Sequence, residues 1–93
     1  MILSFRCEAT KEIYKGDRPA DLPADIQRIA LRKLQQLDIA QKLDDLRIPP
    51  GNRLEPLKGD RKGQHTIRIN DKYRICFIWT DHGIEGVEIV DYH

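Results

Sequence analysis

An α+β fold, with two helices packed on one face of a small, mainly antiparallel sheet, is what this chain predicts. Three observations carry it. Apolar residues recur at helical spacing from Ile26 to Leu37, they alternate with a period of two from Gln64 to the end, and Pro49-Pro50-Gly51-Asn52 separates the two regimes. The 93 residues make one domain, 1–93. A chain this short buries roughly two-thirds or less of its unfolded surface, so its stability is modest.

Residues 1–7 alternate, with Leu3, Phe5 and Cys7 on one side and Ser4 and Arg6 on the other, and predict a first strand. Residues 8–15 predict a short helix that offers Ile13 and Tyr14 for packing and stops at Gly16; the polar, proline-broken stretch 16–21 predicts a loop. The principal helix is predicted over 23–38. Pro23 suits the first helical position, where its missing N–H has no partner to lose, and Asp25 favours the positive end of the helix dipole. Ile26, Ile29, Ala30, Leu34 and Leu37 form one apolar stripe, leaving Arg28, Arg32, Lys33, Gln35 and Gln36 to the other faces. Leu43 and Leu46 predict one further helical turn.

From Arg53 the pattern is strand-like. Residues 53–57 form a short strand that Pro56 confines to an edge or a bulge. In 64–70, Ile67 and Ile69 point inward and Arg68 outward, and Asn70-Asp71-Lys72 makes a hairpin turn. The next strand turns Tyr73, Ile75, Phe77 and Trp79 to the core and Arg74, Cys76 and Ile78 away from it. Asp81-His82-Gly83 turns again, and Val87 and Ile89 lead the last strand.

The composition, 40% hydrophobic and 33% charged, is that of a soluble, well-solvated domain. No apolar stretch approaches the roughly 20 residues of a spanning helix, and Met1–Arg6 has none of the marks of a signal peptide, so a cytoplasmic protein with no membrane association is expected. Cys7 and Cys76 are expected to be a reduced, buried pair. His65, His82 and His93 are scattered and no CxxC, HxxxH or HExxH spacing occurs, so neither a metal site nor a cofactor is expected.

The net charge of +1 conceals an asymmetry. Residues 1–46 are balanced, with eight basic and eight acidic residues; residues 47–76 carry eight basic and three acidic, and residues 77–93 carry four acidic and none basic. A basic hairpin of this kind favours a polyanionic partner. Arg68 and Arg74 fall on the side of the sheet away from the helices, on strands about 4.8 Å apart, where they can converge on one phosphate. Lys58, Arg61 and Lys62 add charge from the preceding loop.

The chain then ends on Asp91-Tyr92-His93, a carboxylate, a phenol and an imidazole directly after a strand. Proton-transfer groups beside a cationic cradle are what cleavage of a phosphodiester without a metal needs: a base, charge-stabilising cations and an acid. Arginine suits the phosphate because its fork is planar and always charged, and histidine suits proton transfer because its reference pKa lies near 6.5. Plainer roles stand beside these. Lys58, Arg61 and Lys62 can simply solvate a loop, Arg68 and Arg74 can pair with Glu88 or Asp91, and His65 and His82 can be surface or turn residues. Tyr73 and Trp79 fit the core better than a base-stacking platform, and Glu55 stays open between an exposed strand carboxylate and a general base.

The runs Asn52-Arg53-Leu54-Glu55-Pro56-Leu57-Lys58-Gly59, Arg61-x-Gly63-Gln64-His65, Ile67-Arg68-Ile69-Asn70-Asp71, Tyr73-Arg74-Ile75-Cys76-Phe77 and Val87-Glu88-Ile89-Val90-Asp91-Tyr92-His93 together resemble the HigB toxins of the RelE/ParE superfamily of type II toxin–antitoxin systems. Ala30-x-x-Lys33-Leu34 and Pro49-Pro50-Gly51 extend the likeness over the whole chain. The resemblance implies a RelE-like microbial RNase fold and a ribosome-dependent, metal-independent endoribonuclease that cuts messenger RNA in the A site by attack of the 2′-OH on the scissile phosphate. It further implies that Lys58 and Arg74 hold the phosphate with help from Arg68, and that Asp91, Tyr92 and His93 form the catalytic group. The partner it implies is a helix-turn-helix antitoxin, HigA, through which the complex reaches operator DNA. One position departs from the pattern: Glu55 stands where some members carry a histidine two residues before Leu-Lys-Gly. A carboxylate is ordinarily a weaker base than an imidazole, which shifts the proton transfer toward His93. ParE-type relatives, which share the fold but poison DNA gyrase without cleaving, are the alternative.

Overall fold

The computed structural model describes residues 1–91, so the expectations placed on Tyr92 and His93 lie outside the described residues. Helices α1 (Glu8–Tyr14) and α2 (Ala24–Ile39) come first. Two 3-10 turns, Leu43–Arg47 and Pro50–Asn52, lead into β1 (Glu55–Pro56); a third, Gly59–Arg61, separates it from β2 (His65–Arg68), and β3 (Tyr73–Thr80) and β4 (Gly83–Asp91) complete the order. The strands form an antiparallel meander, β1-β2-β3-β4, with the helices on one face.

The predicted apolar stripe and the predicted strand faces meet to make the core. Ile26, Ala30, Leu34 and Leu37 of α2 are buried against Ile67, Ile75, Phe77, Val87 and Ile89 of the sheet, each of the larger side chains contributing about 1.5–3 kcal/mol and Ala30 less. Ile29, Tyr73 and Trp79 lie at its margin, half-buried. Pro23 stands just outside α2, at the cap rather than at the first helical position. The end of α1 follows its glycine closely. Gly16 adopts a φ of 95°, its N–H bonds the carbonyl of Ile13 and the N–H of Asp17 bonds that of Glu12, which together close the helix with a left-handed cap. Cys7 and Cys76 are free thiols, Cys76 buried as expected but Cys7 only half-buried, and among the described residues no helix is long and apolar enough to cross a membrane.

The predicted first strand is reduced to two isolated parallel bridges, Ile2 to Ile84 and Phe5 to Val87. Its cause lies in β4. Register passes from Cys76 opposite Glu88 to Ile78 opposite Glu85, so Gly86 and Val87 together face Phe77. Gly86 takes a φ of 61°, the left-handed conformation such a bulge requires, and its N–H turns to the hydroxyl of Ser4 instead of a backbone carbonyl. The arm therefore still runs along β4, with Leu3 N–H to Ile84 O at 2.7 Å and Arg6 N–H to Val87 O at 3.0 Å, but no continuous ladder forms. Leu3, expected on the same side as Phe5 and Cys7, is exposed, whereas those two are half-buried. Beyond the arm the hydroxyl of Thr10, buried on α1, accepts the N–H of Ile89 at 3.0 Å.

Lys33 differs from expectation more sharply. It is buried, and its ammonium donates to Oδ1 of Asn52, itself fully buried in the Pro50–Asn52 turn. The Asn52 amide donates in turn to Leu46 O at 3.0 Å and to Gln36 Oε1 at 3.2 Å. Burial pushes the Lys33 ammonium below its ordinary pKa, and the nearby positive charges of Arg32 and Arg68 push the same way. This polar knot fastens the irregular segment 43–54 to α2 and fixes how the chain enters β1.

Candidate nucleic-acid interface

Strand register decides which side chains share the outer face of the sheet, away from the helices. Arg68 on β2 stands directly opposite Arg74 on β3, which stands opposite Val90 on β4. Two residues along, Glu55, Thr66, Cys76 and Glu88 make a second row across all four strands. The expected arginine pair is therefore present as a cross-strand pair. Like charges placed so repel, and Arg68 is ion-paired with Asp71 of its own hairpin turn, a partner the sequence did not single out. Arg74 is half-buried in the middle of the sheet.

The loop between β1 and β2 lies over this face. Leu57 N–H closes it onto Gln64 O at 2.9 Å, and Lys58 caps the Gly59–Arg61 turn. Arg61 reaches from the loop to β4, where its Nη1 donates to Glu88 Oε1 at 2.8 Å and to Gln64 Oε1 at 3.3 Å. Arg6 of the amino-terminal arm approaches the same carboxylate at 3.9 Å. The hydrogen bond to Glu88 holds the Arg61 guanidinium above its ordinary pKa. So Arg61 is tied down, whereas Lys58 and Lys62 are exposed to solvent. Beneath the pair Cys76 is fully buried, its sulfur 3.9 Å from the Thr66 hydroxyl. Burial pushes its thiol up, so it stays protonated and is no nucleophile.

Asp91 lies opposite Tyr73, one step beyond the Arg74–Val90 pair, with Oδ2 at 3.6 Å from Lys72 Nζ. Alternation assigns it to the side of Tyr73 and Ile89 rather than that of Arg74. The strand that carries the terminal residues thus pairs with the arginine-bearing hairpin, as expected, while Tyr92 and His93 themselves fall outside the described residues. Glu55 is exposed on the edge strand, in the Thr66–Cys76–Glu88 row.

His65, expected at the surface or in a turn, sits half-buried on the helix side, its ring stacked 6.2 Å from that of Phe77. The signal was available: residues 65, 67 and 69 share one face of a strand. Burial lowers its pKa, the positive charge of Arg47 adds to this, and among the described residues its buried Nδ1 has no hydrogen-bond partner. The unfolded chain therefore takes up the proton first, and the stability present above about pH 6.5 is lost as pH falls through the lowered folded value. Thermal melts from pH 7.5 to 5 should show a falling Tm, with a flatter slope in His65→Gln; equal slopes would remove His65 as the cause. His82 is an exposed turn residue.

Two clefts of about 300 Å³ lie away from the outer face, one bounded by Ile13, Asp17, Arg18, Gln27, Arg28 and Leu31, the other by Met1, Trp79 and the Thr80–Ile84 turn. The outer face itself is rich in cations, with Arg61, Arg68 and Arg74 half-buried on it and Lys58 and Lys62 exposed on the loop that crosses it. Such a surface suits a polymeric anion that tracks across it better than an enclosed small molecule.

Comparison with known proteins agrees. The sequence model of the family described as the RelE-like toxin of type II toxin–antitoxin system HigB matches residues 3–93. Toxin HigB-1 of Vibrio cholerae serotype O1 is 45% identical over 82 residues, 87% of this chain and 86% of that one. Endoribonuclease HigB of Proteus vulgaris is 33% identical over 94 residues, covering 100% of both chains. Two solved structures share the fold. The YoeB–YefM complex from Staphylococcus aureus superposes with a TM-score of 0.62 at 18% identity, over 100% of this chain and 98% of that one. YafQ from E. coli strain BL21(DE3) gives 0.63 at 14% identity, over 98% and 91%.

Proposed function

From the premise that this chain belongs to the HigB-like family of RelE-like toxins from type II toxin–antitoxin systems, we propose that it is a metal-independent endoribonuclease that cuts messenger RNA in the ribosomal A site and so arrests translation. The observation that carries the reading is the Arg68–Arg74 cross-strand pair on the outer face, which the loop bearing Lys58 approaches along the neighbouring Thr66–Cys76–Glu88 row. The name of the Proteus vulgaris relative, an endoribonuclease, supports the same chemistry.

In this mechanism a base removes the proton of a 2′-OH, and the oxygen attacks the adjacent phosphorus in line. Arg74 and Lys58, assisted by Arg68, hold the phosphoryl oxygens as charge builds on them. An acid protonates the departing 5′ oxygen, the P–O5′ bond breaks, and a 2′,3′-cyclic phosphate remains. His93 takes the principal proton-transfer role, with Tyr92 beside it; Asp91, turned to the side of Tyr73 and paired with Lys72, acts at a distance from the arginines, and Glu55 has a lesser role. His93→Ala is expected to slow cleavage about 100-fold or more, within the range of one positioned proton transfer, and Glu55→Ala by about tenfold or less. A translation-coupled cleavage assay that returned the opposite ranking would refute the assignment.

A helix-turn-helix antitoxin of the HigA kind, encoded beside the toxin, is the partner, and through it the complex binds operator DNA. Mapping messenger RNA ends after brief induction tests the activity. Cuts within translated codons that vanish when translation is blocked support it; intact transcripts accompanied by DNA damage would point instead to a ParE-like gyrase poison.

A further inference from the structure

We propose that Glu88 is a positioning residue of this site: its carboxylate straps Arg61, and through it the loop 57–64, across the outer face so that Lys58 is presented to a phosphate lying at the Arg68–Arg74 pair. The inference rests on the nuclease reading above.

The loop holds itself weakly. It springs from a strand of two residues and contains two glycines at positive φ, Gly59 at 65° and Gly63 at 97°. Its own backbone bonds are few, Leu57 N–H to Gln64 O and three within the turn. Arg61 supplies what these do not, a charge-assisted bond of 2.8 Å to a carboxylate only 15% exposed, 27 residues away in sequence. Glu88 itself is fixed, since it lies in β4 between the buried Val87 and Ile89.

A surface serving only to bind a polyanion gains nothing from a half-buried carboxylate on its flank. Glu88 neutralises one of the cations on the face and repels phosphate, so its presence there costs affinity. What it supplies is geometry. It draws Arg61 and Arg6 to one point and screens the repulsion among Lys58, Arg61, Lys62, Arg68 and Arg74 that would lift the loop from the sheet.

Glu88→Gln keeps the shape and removes the charge. On a translated messenger RNA it should lower kcat about tenfold while KM falls about two- to fivefold, because binding tightens as the face gains one net positive charge. Added to Lys58→Ala, the same substitution should cost no further kcat, because it acts through that ammonium. Trypsin should cut after Lys58, Arg61 or Lys62 several-fold faster in Glu88→Gln at an unchanged Tm. Arg61→Gln, which breaks the bond from its more exposed end, must reproduce the loss of kcat and stands in if Glu88→Gln does not fold.

An unchanged kcat, a further kcat loss in the Lys58→Ala background, or an equally protected loop would each overturn the proposal. If the unaltered protein leaves translated transcripts intact, the nuclease reading fails and the positioning role fails with it, while the trypsin comparison separately decides whether the strap exists.

Discussion

Arg74→Ala is expected to slow messenger RNA cleavage by about 100- to 1000-fold, the range found when one preorganised charge donor is removed from a transition state. Arg74 lies on β3, paired with β2 on one side and β4 on the other, so its backbone is held rigidly on both flanks. The proposed role at the phosphoryl oxygens therefore asks for little movement of the backbone that carries the guanidinium. Arg74→Lys should recover only a small part of the loss, since an ammonium keeps the charge but not the planar fork. Both variants should fold, because the apolar side of β3, Ile75 and Phe77, is untouched. Cleavage kinetics beside far-ultraviolet circular dichroism would check this; a rate within threefold of the unaltered protein would remove the outer face as the site.

Asn52→Ala is expected to cost about 3 kcal/mol of stability, and so to lower Tm by roughly 12–20 °C in a domain of this size. The substitution deletes the acceptor of the Lys33 ammonium and the donor to Leu46 O and Gln36 Oε1 in one step. It leaves a buried charge unpartnered at that atom, which is costlier than losing the bonds themselves. The double change Lys33→Met with Asn52→Leu should be less damaging than Asn52→Ala alone, because it removes the charge along with its acceptor. Urea or thermal unfolding of the three variants decides the matter, and a loss below about 1 kcal/mol for Asn52→Ala would mean the knot does not hold the segment.

Local patterning accounts for what the sequence disclosed. The stripe from Ile26 to Leu37, the alternation from Tyr73 to Phe77 and the stop at Gly16 each depend on neighbours within a turn or a pleat and appear as read, with Ile29 and Trp79 at the margin; the edge strand at Pro56 appears too, but shortened from 53–57 to Glu55–Pro56. The facing of Arg68 and Arg74 followed from parity alone. What was hidden depends on partners distant in sequence. Lys33 reads as a surface residue until Asn52, 19 residues on, is seen to receive it. The arm 1–7 alternates like a strand, but the bulge that breaks its pairing belongs to Gly86. Arg61 looks like a solvated loop cation because nothing in residues 58–63 announces Glu88.

The bulged arm also governs how other chains can approach. One rim of the sheet is occupied by the protein's own first residues and by Thr10, and the opposite rim is two residues long and contains a proline. Neither offers a run of open amides and carbonyls for a foreign β-segment to join. Among the described residues the sheet is thereby guarded against edge-to-edge pairing, and its faces and loops lie more open to another chain than its rims do.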